Sequence, residues 1–304
     1  MPDLRGAVVV ITGAGSGMGR AYALEAARRG AVLALNDVDA DALAETVALL
    51  PDDTRAISEA YDVADPEAVH AFADRVAAEL GGADVVINNA GIEGYQQPAW
   101  AITDEQYRRV MDVNFWGVVH GSRAFLPQLL ASRRGALVNV SSLFGLIGPP
   151  HQSDYAAAKF AVRGFTESLA AELLGSGVAV HLVHPGGIAT DIARSEASRA
   201  FDARYLTTSP ESIAVKVLDL LGTRRTRLVY GHRAPTTFLG VRALPLGLML
   251  RLVRRDLAST LDRTHYPART AAAALLGRRS ADGSVDGPDD GSDDGSAAAE
   301  ERTA

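Results

Sequence analysis

Between residues 7 and 231 the chain alternates short apolar runs with longer stretches in which apolar positions recur every three or four residues. Seven runs read as strands: AVVVIT (7–12), VLALN (32–36), RAISEAYDV (55–63), DVVIN (84–88), ALVNVS (136–141), VAVHLVH (178–184) and RLVYG (227–231). Helical periodicity fills the intervals near 17–29, 39–50, 66–80, 103–131, 154–175 and 210–222. Several runs are apolar at nearly every position, as strands buried on both faces of a parallel sheet must be. Strand–helix units joined by right-handed crossovers then predict a three-layer, doubly wound α/β domain over residues 1–232. Ligands of such sheets bind beyond the carboxyl ends of the strands.

Composition changes this picture little: 47% apolar and 22% charged residues over 304 positions suit a globular chain. With no cysteine, disulfides, thiol nucleophiles and cysteine metal sites are excluded. The seven histidines show no metal-ligand spacing, and no metal is expected. The start does not read as a secretion signal, and no apolar run reaches the ~18 residues of a membrane span, so a cytoplasmic protein is expected.

Charge is more informative when divided. The net −7 hides +10 over residues 223–279, where twelve arginines face Asp256 and Asp262, and −7 over 280–304. That leaves −10 for residues 1–222. Residues 233–279 are expected to form a basic, partly helical extension. Residues 280–304, an Asp/Gly/Ser-rich acidic tail, are expected to be disordered. Within the extension, residues 245–262 carry an apolar face of Leu246, Met249, Leu250, Val253 and Leu257 opposite Arg251, Arg254 and Arg255. The preferred reading is a helix covering the substrate cleft or a neighbouring subunit. The alternative is contact with an anionic membrane surface. No base-reading motif or aromatic platform accompanies the arginines, so nucleic acid is not expected.

Candidate chemistry begins at TGAGSGMG, directly after the first strand. Gly13, Gly15, Gly17 and Gly19 allow positive φ and close backbone approach, and Ser16, Gly17 and Met18 open a helix whose N-terminus suits a pyrophosphate. With the strand before and an acid at the end of the second strand, this is a Rossmann-like dinucleotide site. That acid, Asp37, suits the two hydroxyls of an adenosine ribose and repels a 2′-phosphate. Its neighbours Val38 and Ser16 are uncharged, so NAD is favoured over NADP. Asp39 is expected to cap the next helix.

Only two of the 30 basic residues are lysines, Lys159 and Lys216; the rest are arginines. Lys159 falls four residues after Tyr155 in SDYAAAKF, on the same helix face. A free phenol, with a pKa of ~10, is a poor base at neutral pH, and an adjacent ammonium lowers it. The planar fork of arginine does not replace a compact ammonium that donates in three directions.

Taken with its company, this pair makes the chain resemble the short-chain dehydrogenase/reductase family over about residues 5–232. TGAGSGMG, Asp62–Val63, NNAG at Asn88–Gly91, MDVNFWG with Asn114, LVNVSS ending in Ser142, the Tyr155/Lys159 pair and HPGGIAT follow in the family's order. Ser142 precedes Tyr155 by the family's thirteen residues. The resemblance implies a nicotinamide-dependent oxidoreductase acting on secondary alcohols or ketones. Tyr155 would be its general acid/base, Ser142 would bond the substrate oxygen, and Lys159 would hold the nicotinamide ribose and lower the phenol. Asn114 would hold a water linking Lys159 to solvent. Cofactor contacts would come from the glycine turn, Asp37, Asp62, Val63, Asn89, Ala90, Gly91, Pro185, Gly186, Ile188 and Thr190, with Asn88 bracing strands. Subunit contacts on helices 103–131 and 154–175 would give a homodimer or homotetramer. The alternatives are an NADPH-preferring carbonyl reductase and a dinucleotide-binding sensor without turnover.

The loops 93–100, 143–152 and 191–209 are expected to choose the substrate. Leu143, Phe144, Leu146 and Ile147 form an apolar wall, with Tyr95, Trp100, Phe201 and Tyr205 as further aromatic surface, which favours a hydrophobic alcohol or ketone over a sugar. His184 is expected to pack rather than ligate.

Overall fold

All five residues of β1 (Val8–Thr12) are buried, so this strand needs neighbours on both edges and helices on both faces. The computed structural model, which describes residues 3–189 and 205–258, supplies them. β2 (Val32–Asp37) and β4 (Val85–Asn88) flank β1, and β3 (Ala56–Ala60) lies outside β2. β5 (Ala136–Val140), β6 (Ala179–Pro185) and β7 (Arg227–Tyr230) continue beyond β4. The sheet is parallel throughout, in the order β3-β2-β1-β4-β5-β6-β7.

The period of two along each strand divides two cores. Val9, Ile11, Leu33, Leu35, Val85 and Ile87 pack under α1 (Gly17–Arg28) and α7 (Pro210–Leu220), with Leu43 of α2 (Ala40–Ala48) joining them. Val8, Val10, Val86 and Leu137 face the opposite side, against α3 (Pro66–Leu80), α5 (Gly117–Ala131) and Leu169 of α6 (Ser153–Glu172). The chain reverses its direction of winding between β3 and β4. A crevice therefore opens beyond the carboxyl ends of β1 and β4.

The apolar pattern predicts these elements to within a few residues, with two informative differences. The third strand stops at Ala60, because Asp62 turns the chain through Asp65 N to Asp62 O at 3.0 Å and Ala64 N to the Asp62 carboxylate at 2.9 Å. The expected helix 103–131 is α4 (Asp104–Met111) and α5 separated by a π turn at Asp112–Trp116. A π turn inserts one residue into the helical course. Here it swings Asn114 inward, where the side chain closes on the main chain of Ile92 at 2.8 and 2.9 Å.

After β7 come α8 (Ala234–Ala243) and α9 (Leu246–Leu257). Of the apolar face expected on α9, only Met249 and Leu257 are buried, while Leu246 and Leu250 stand exposed. The tail 280–304 lies outside the described residues. Among the described residues no helix is long and apolar enough to cross a membrane.

A buried polar chain ties the strand ends to the helices. Asn88 donates to Asn139 at 2.8 Å and to Ser122 of α5 at 3.1 Å, and Asn139 donates to Thr166 of α6 at 3.1 Å. Thus Asn88 braces the strands through its side chain as well as through its place in the β4–β5 ladder. Replacing Asn139 with Leu leaves Asn88 and Thr166 without these partners, each costing about 1–3 kcal/mol. We expect Asn139→Leu to lower stability by about 2–4 kcal/mol in a denaturant titration; an unchanged midpoint would contradict this role.

Candidate active site

The glycine turn after β1 is required by its surroundings. Gly13 has φ 68°, and a Cβ there would stand 2.8 Å from the Cα of Ala90. A Cβ on Gly19 would collide with the Gly13 carbonyl. Asn89 locks the turn from β4, its amide donating to Thr12 O at 3.0 Å and Gly13 O at 3.2 Å. The Thr12 hydroxyl in turn accepts the main-chain N–H groups of Asn89 and Ala90 at 3.0 and 3.1 Å. Asn89, expected to meet the cofactor, therefore has its amide committed to the turn, and Thr12, the first residue of TGAGSGMG, has a bracing role that the motif alone does not show.

Asp37 reaches back to the same turn, accepting from Gly15 N at 2.7 Å, and its other oxygen accepts from Asp39 N at 3.0 Å. Asp39 caps α2 as expected, accepting from Asp41 N and Ala42 N. Caps of this kind close α2, α3 and α4, but Ser16 makes no side-chain cap to α1. The first amides of α1 therefore face the crevice without a side-chain acceptor.

These residues border a trench of about 590 Å³, with Gly13, Ser16, Gly17, Met18 and Asp37 at one part and Ala90–Tyr95 at another. Tyr61, Asp62, Val63 and Arg109 also line it. Arg109 of α4 pairs with Asp62 at 2.7 Å, a contact no motif disclosed because the two residues come from separate elements. Arg20 donates to Gly15 O, to Thr46 at 2.9 Å and to Glu45 at 3.0 Å, and so supports the turn from behind. A glycine cradle, a helix N-terminus open to an anion and a carboxylate at the end of β2 together fit a dinucleotide.

Ser142, Tyr155 and Lys159 come together at the ends of β5 and α6. Ser142 starts the short turn Leu143–Gly145, accepting from Phe144 N at 3.1 Å. It also hydrogen-bonds Tyr155. Ser141, the serine just before it, is buried, and its hydroxyl donates to Lys159 O at 2.8 Å. The two serines are thereby told apart. His184 of β6 is fully buried, and its Nδ1 lies 2.8 Å from the Ser142 carbonyl, so it donates there and holds the serine's main chain. Burial pushes His184 down to about 4, which keeps it neutral.

Lys159 is 3% exposed, donates from Nζ to Val140 O at 3.2 Å, and stands 5.6 Å from the Tyr155 ring centroid. Burial lowers it to about 8. Burial likewise pushes Tyr155 up to about 12, opposed by the Ser142 hydrogen bond and reinforced by the Glu93 carboxylate. Among the protein's own groups desolvation is the largest influence on the phenol, and it outweighs the Ser142 hydrogen bond. A Cβ on Gly91 would stand 2.8 Å from Asn114 Oδ1 and 3.4 Å from Lys159 Nζ, so glycine there lets the two groups face each other.

Other expected residues are distributed unevenly. Pro185 ends β6, Gly186 N donates to Tyr230 O at 2.7 Å, and Ile188 is buried. Thr190 and Phe201, with most of the loop 191–209, lie outside the described residues. Phe144 packs edge-on to Tyr155 at 6.2 Å, and Leu146 and Ile147 are buried. Tyr205, expected as aromatic pocket surface, is instead 6% exposed with its hydroxyl on Asp256 O at 3.0 Å.

Residues 7–200 match the short chain dehydrogenase family. The chain belongs to that family. It is a nicotinamide-dependent oxidoreductase acting on CH–OH groups. It is similar to the putative oxidoreductase SadH of Mycobacterium tuberculosis, at 46% identity over 77% of this chain and 89% of the relative. It is also similar to the 1-deoxy-11-beta-hydroxypentalenate dehydrogenase of Streptomyces exfoliatus, 36% identical over 71% of this chain and 80% of that one. Among solved structures, a short-chain dehydrogenase/reductase of Burkholderia phymatum in complex with NAD superposes with a TM-score of 0.73 at 30% identity, covering 88% of this chain and 99% of its own.

Because His184 reaches the serine only through a main-chain carbonyl, its effect on the dehydrogenase should appear in turnover. We expect His184→Phe to lower kcat for a secondary alcohol about tenfold, consistent with loss of one buried bond, with KM for the cofactor unchanged. His184→Asn, which keeps a donor, should recover most of that loss. Equal damage in both variants would assign His184 to packing alone.

Proposed function

We propose that this dehydrogenase interconverts hydrophobic secondary alcohols and ketones with NAD, using Tyr155 as general acid/base. The observation that carries the reading is the group of half-buried Ser142 and Tyr155 with buried Lys159, beside a trench suited to a dinucleotide. Gly13–Gly19 and the start of α1 hold the pyrophosphate, and Asp37 takes the adenosine ribose hydroxyls. Asp62 and Val63 border the adenine, while Ala90, Gly91, Pro185, Gly186 and Ile188 line the nicotinamide half. The bound nicotinamide supplies the hydride acceptor or donor.

In oxidation Tyr155 Oη takes the alcohol proton as hydride leaves the carbinol carbon, and in reduction it returns that proton to the ketone oxygen. Ser142 donates to the substrate oxygen and stabilises the charge that develops there. Lys159 bonds the nicotinamide ribose and keeps a positive charge near the phenol. Asn114 fixes Ile92 and with it the strap beside Lys159. The apolar turn Leu143–Ile147 favours a hydrophobic substrate, and NAD is supported by Asp37 and by the NAD complex of the Burkholderia relative. The domain ends near residue 232. A homodimer or homotetramer forms through the helices of 103–131 and α6, where Trp116, Leu130 and Phe160 stand exposed.

Tyr155→Phe removes the proton carrier but little volume. Its kcat should fall at least about a thousandfold, with the NAD dissociation constant within about twofold by fluorescence titration. Retained turnover would end the proposed role. A screen of secondary alcohols and ketones should show activity with NAD exceeding that with NADP, and tighter binding of NADP would overturn the reading of Asp37.

The pH dependence has a definite sign. Oxidation needs the phenol unprotonated, and burial holds Tyr155 up near about 12. The rate of alcohol oxidation should therefore rise as pH increases from about 7 to about 10. Ketone reduction, which uses the protonated phenol, should not rise over that range. A flat oxidation profile with hydride transfer rate-limiting would exclude Tyr155 as the base.

A further inference from the structure

Six of the fourteen exposed large apolar side chains among the described residues fall within a single stretch: Leu239, Leu244, Leu246, Leu248, Leu250 and Leu252. A globular surface scatters such residues, and a concentration of them marks a contact. The stretch is also basic. Residues 233–258 hold five arginines and one acid, Asp256, which pairs with Arg233. Arg242, Arg251, Arg254 and Arg255 therefore have no acid of the segment to neutralise them.

The support beneath this surface is defined. Met249 and Leu257 turn inward, with Met249 Sδ 3.0 Å from where a Cβ on Gly240 would stand. The Tyr205 hydroxyl donates to Asp256 O at 3.0 Å, and the Arg233 guanidinium lies 5.2 Å from the Tyr205 ring centroid. α8 rests on β7 and on the turn Leu143–Gly145. The exposed leucines are thus held on the body of the domain.

A second copy of the chain would bring like charges together across such a face. A polynucleotide would leave the leucines without a partner. An anionic bilayer satisfies both features, arginines meeting lipid phosphates and leucines entering the acyl boundary. We propose that α8 and α9 form a docking surface for an anionic lipid bilayer. The reading does not depend on the substrate or on the assignment of Tyr155. It reverses the expectation that residues 245–262 merely cover the cleft or a neighbouring subunit.

The test uses the full chain and vesicles of phosphatidylglycerol mixed with phosphatidylcholine, with phosphatidylcholine alone as control. The protein should sediment with the anionic vesicles and not with the control, and release as salt approaches 1 M, where the Debye length is about 3 Å. Arg251→Gln/Arg254→Gln/Arg255→Gln should weaken vesicle binding about a hundredfold. Leu248→Glu/Leu252→Glu should abolish it. Both variants change exposed side chains, so melting temperature and alcohol turnover should match the parent. Absence of binding to the anionic vesicles would overturn the proposal, as would equal binding by the folded leucine variant. A fall in oligomeric mass of that variant by light scattering, with vesicle binding retained, would assign the face to a second copy instead.

Discussion

A lysine ammonium held in the interior governs the arrangement of this active site. Taking a cation out of water is costly, and Lys159 feels that cost as a proton held less tightly than in solvent. The protein answers from three elements. Val140, at the end of β5, offers its carbonyl to Nζ, Ser141 clamps the Lys159 carbonyl, and Gly91 leaves out a side chain that would crowd both Nζ and Asn114. An arginine would bring a wider, planar group needing several coplanar acceptors, whereas Nζ donates here to the Val140 carbonyl. That is a physical reason for lysine in a chain that otherwise uses arginine almost throughout.

The rest of the site follows from where that corner lies. Winding out from β1 in both directions opens a crevice at the β1–β4 boundary, and the glycine turn, Asp37 and the Ala90–Tyr95 strap all stand on its rim. Rigidity comes from bonds between neighbouring strand ends: Thr12 with Asn89, Ser141 N with Val183 O, His184 with the Ser142 carbonyl. Ser142 and Lys159 are therefore positioned by contacts from strand ends, and Tyr155 by its place on α6.

The arginines divide into two populations with different work. Those of the domain body, such as Arg20, Arg29 and Arg109, are tied to carboxylates and carbonyls of neighbouring elements. Those of α8 and α9 outnumber the acids near them and share their surface with leucines. The overall negative charge of the chain conceals this division, because the acids of residues 1–222 and 280–304 together outweigh the basic segment in the sum.

The sequence by itself determined the sheet, its helices and the chemical identity of the site. Apolar periodicity is local, and motifs such as TGAGSGMG and Tyr155 with Lys159 lie within one or two turns of chain. It could not disclose contacts between residues far apart in the chain: Arg109 on Asp62, Thr12 beneath Asn89, His184 behind Ser142. Nor did periodicity reveal the π turn at Asn114, since one inserted residue hardly disturbs a three-to-four repeat. The upward push of burial on Tyr155 was likewise hidden, because a nearby ammonium is visible in the residue spacing whereas burial is not. Only the packed structure decides how much water each group loses, and here that loss outweighs the attraction between neighbours.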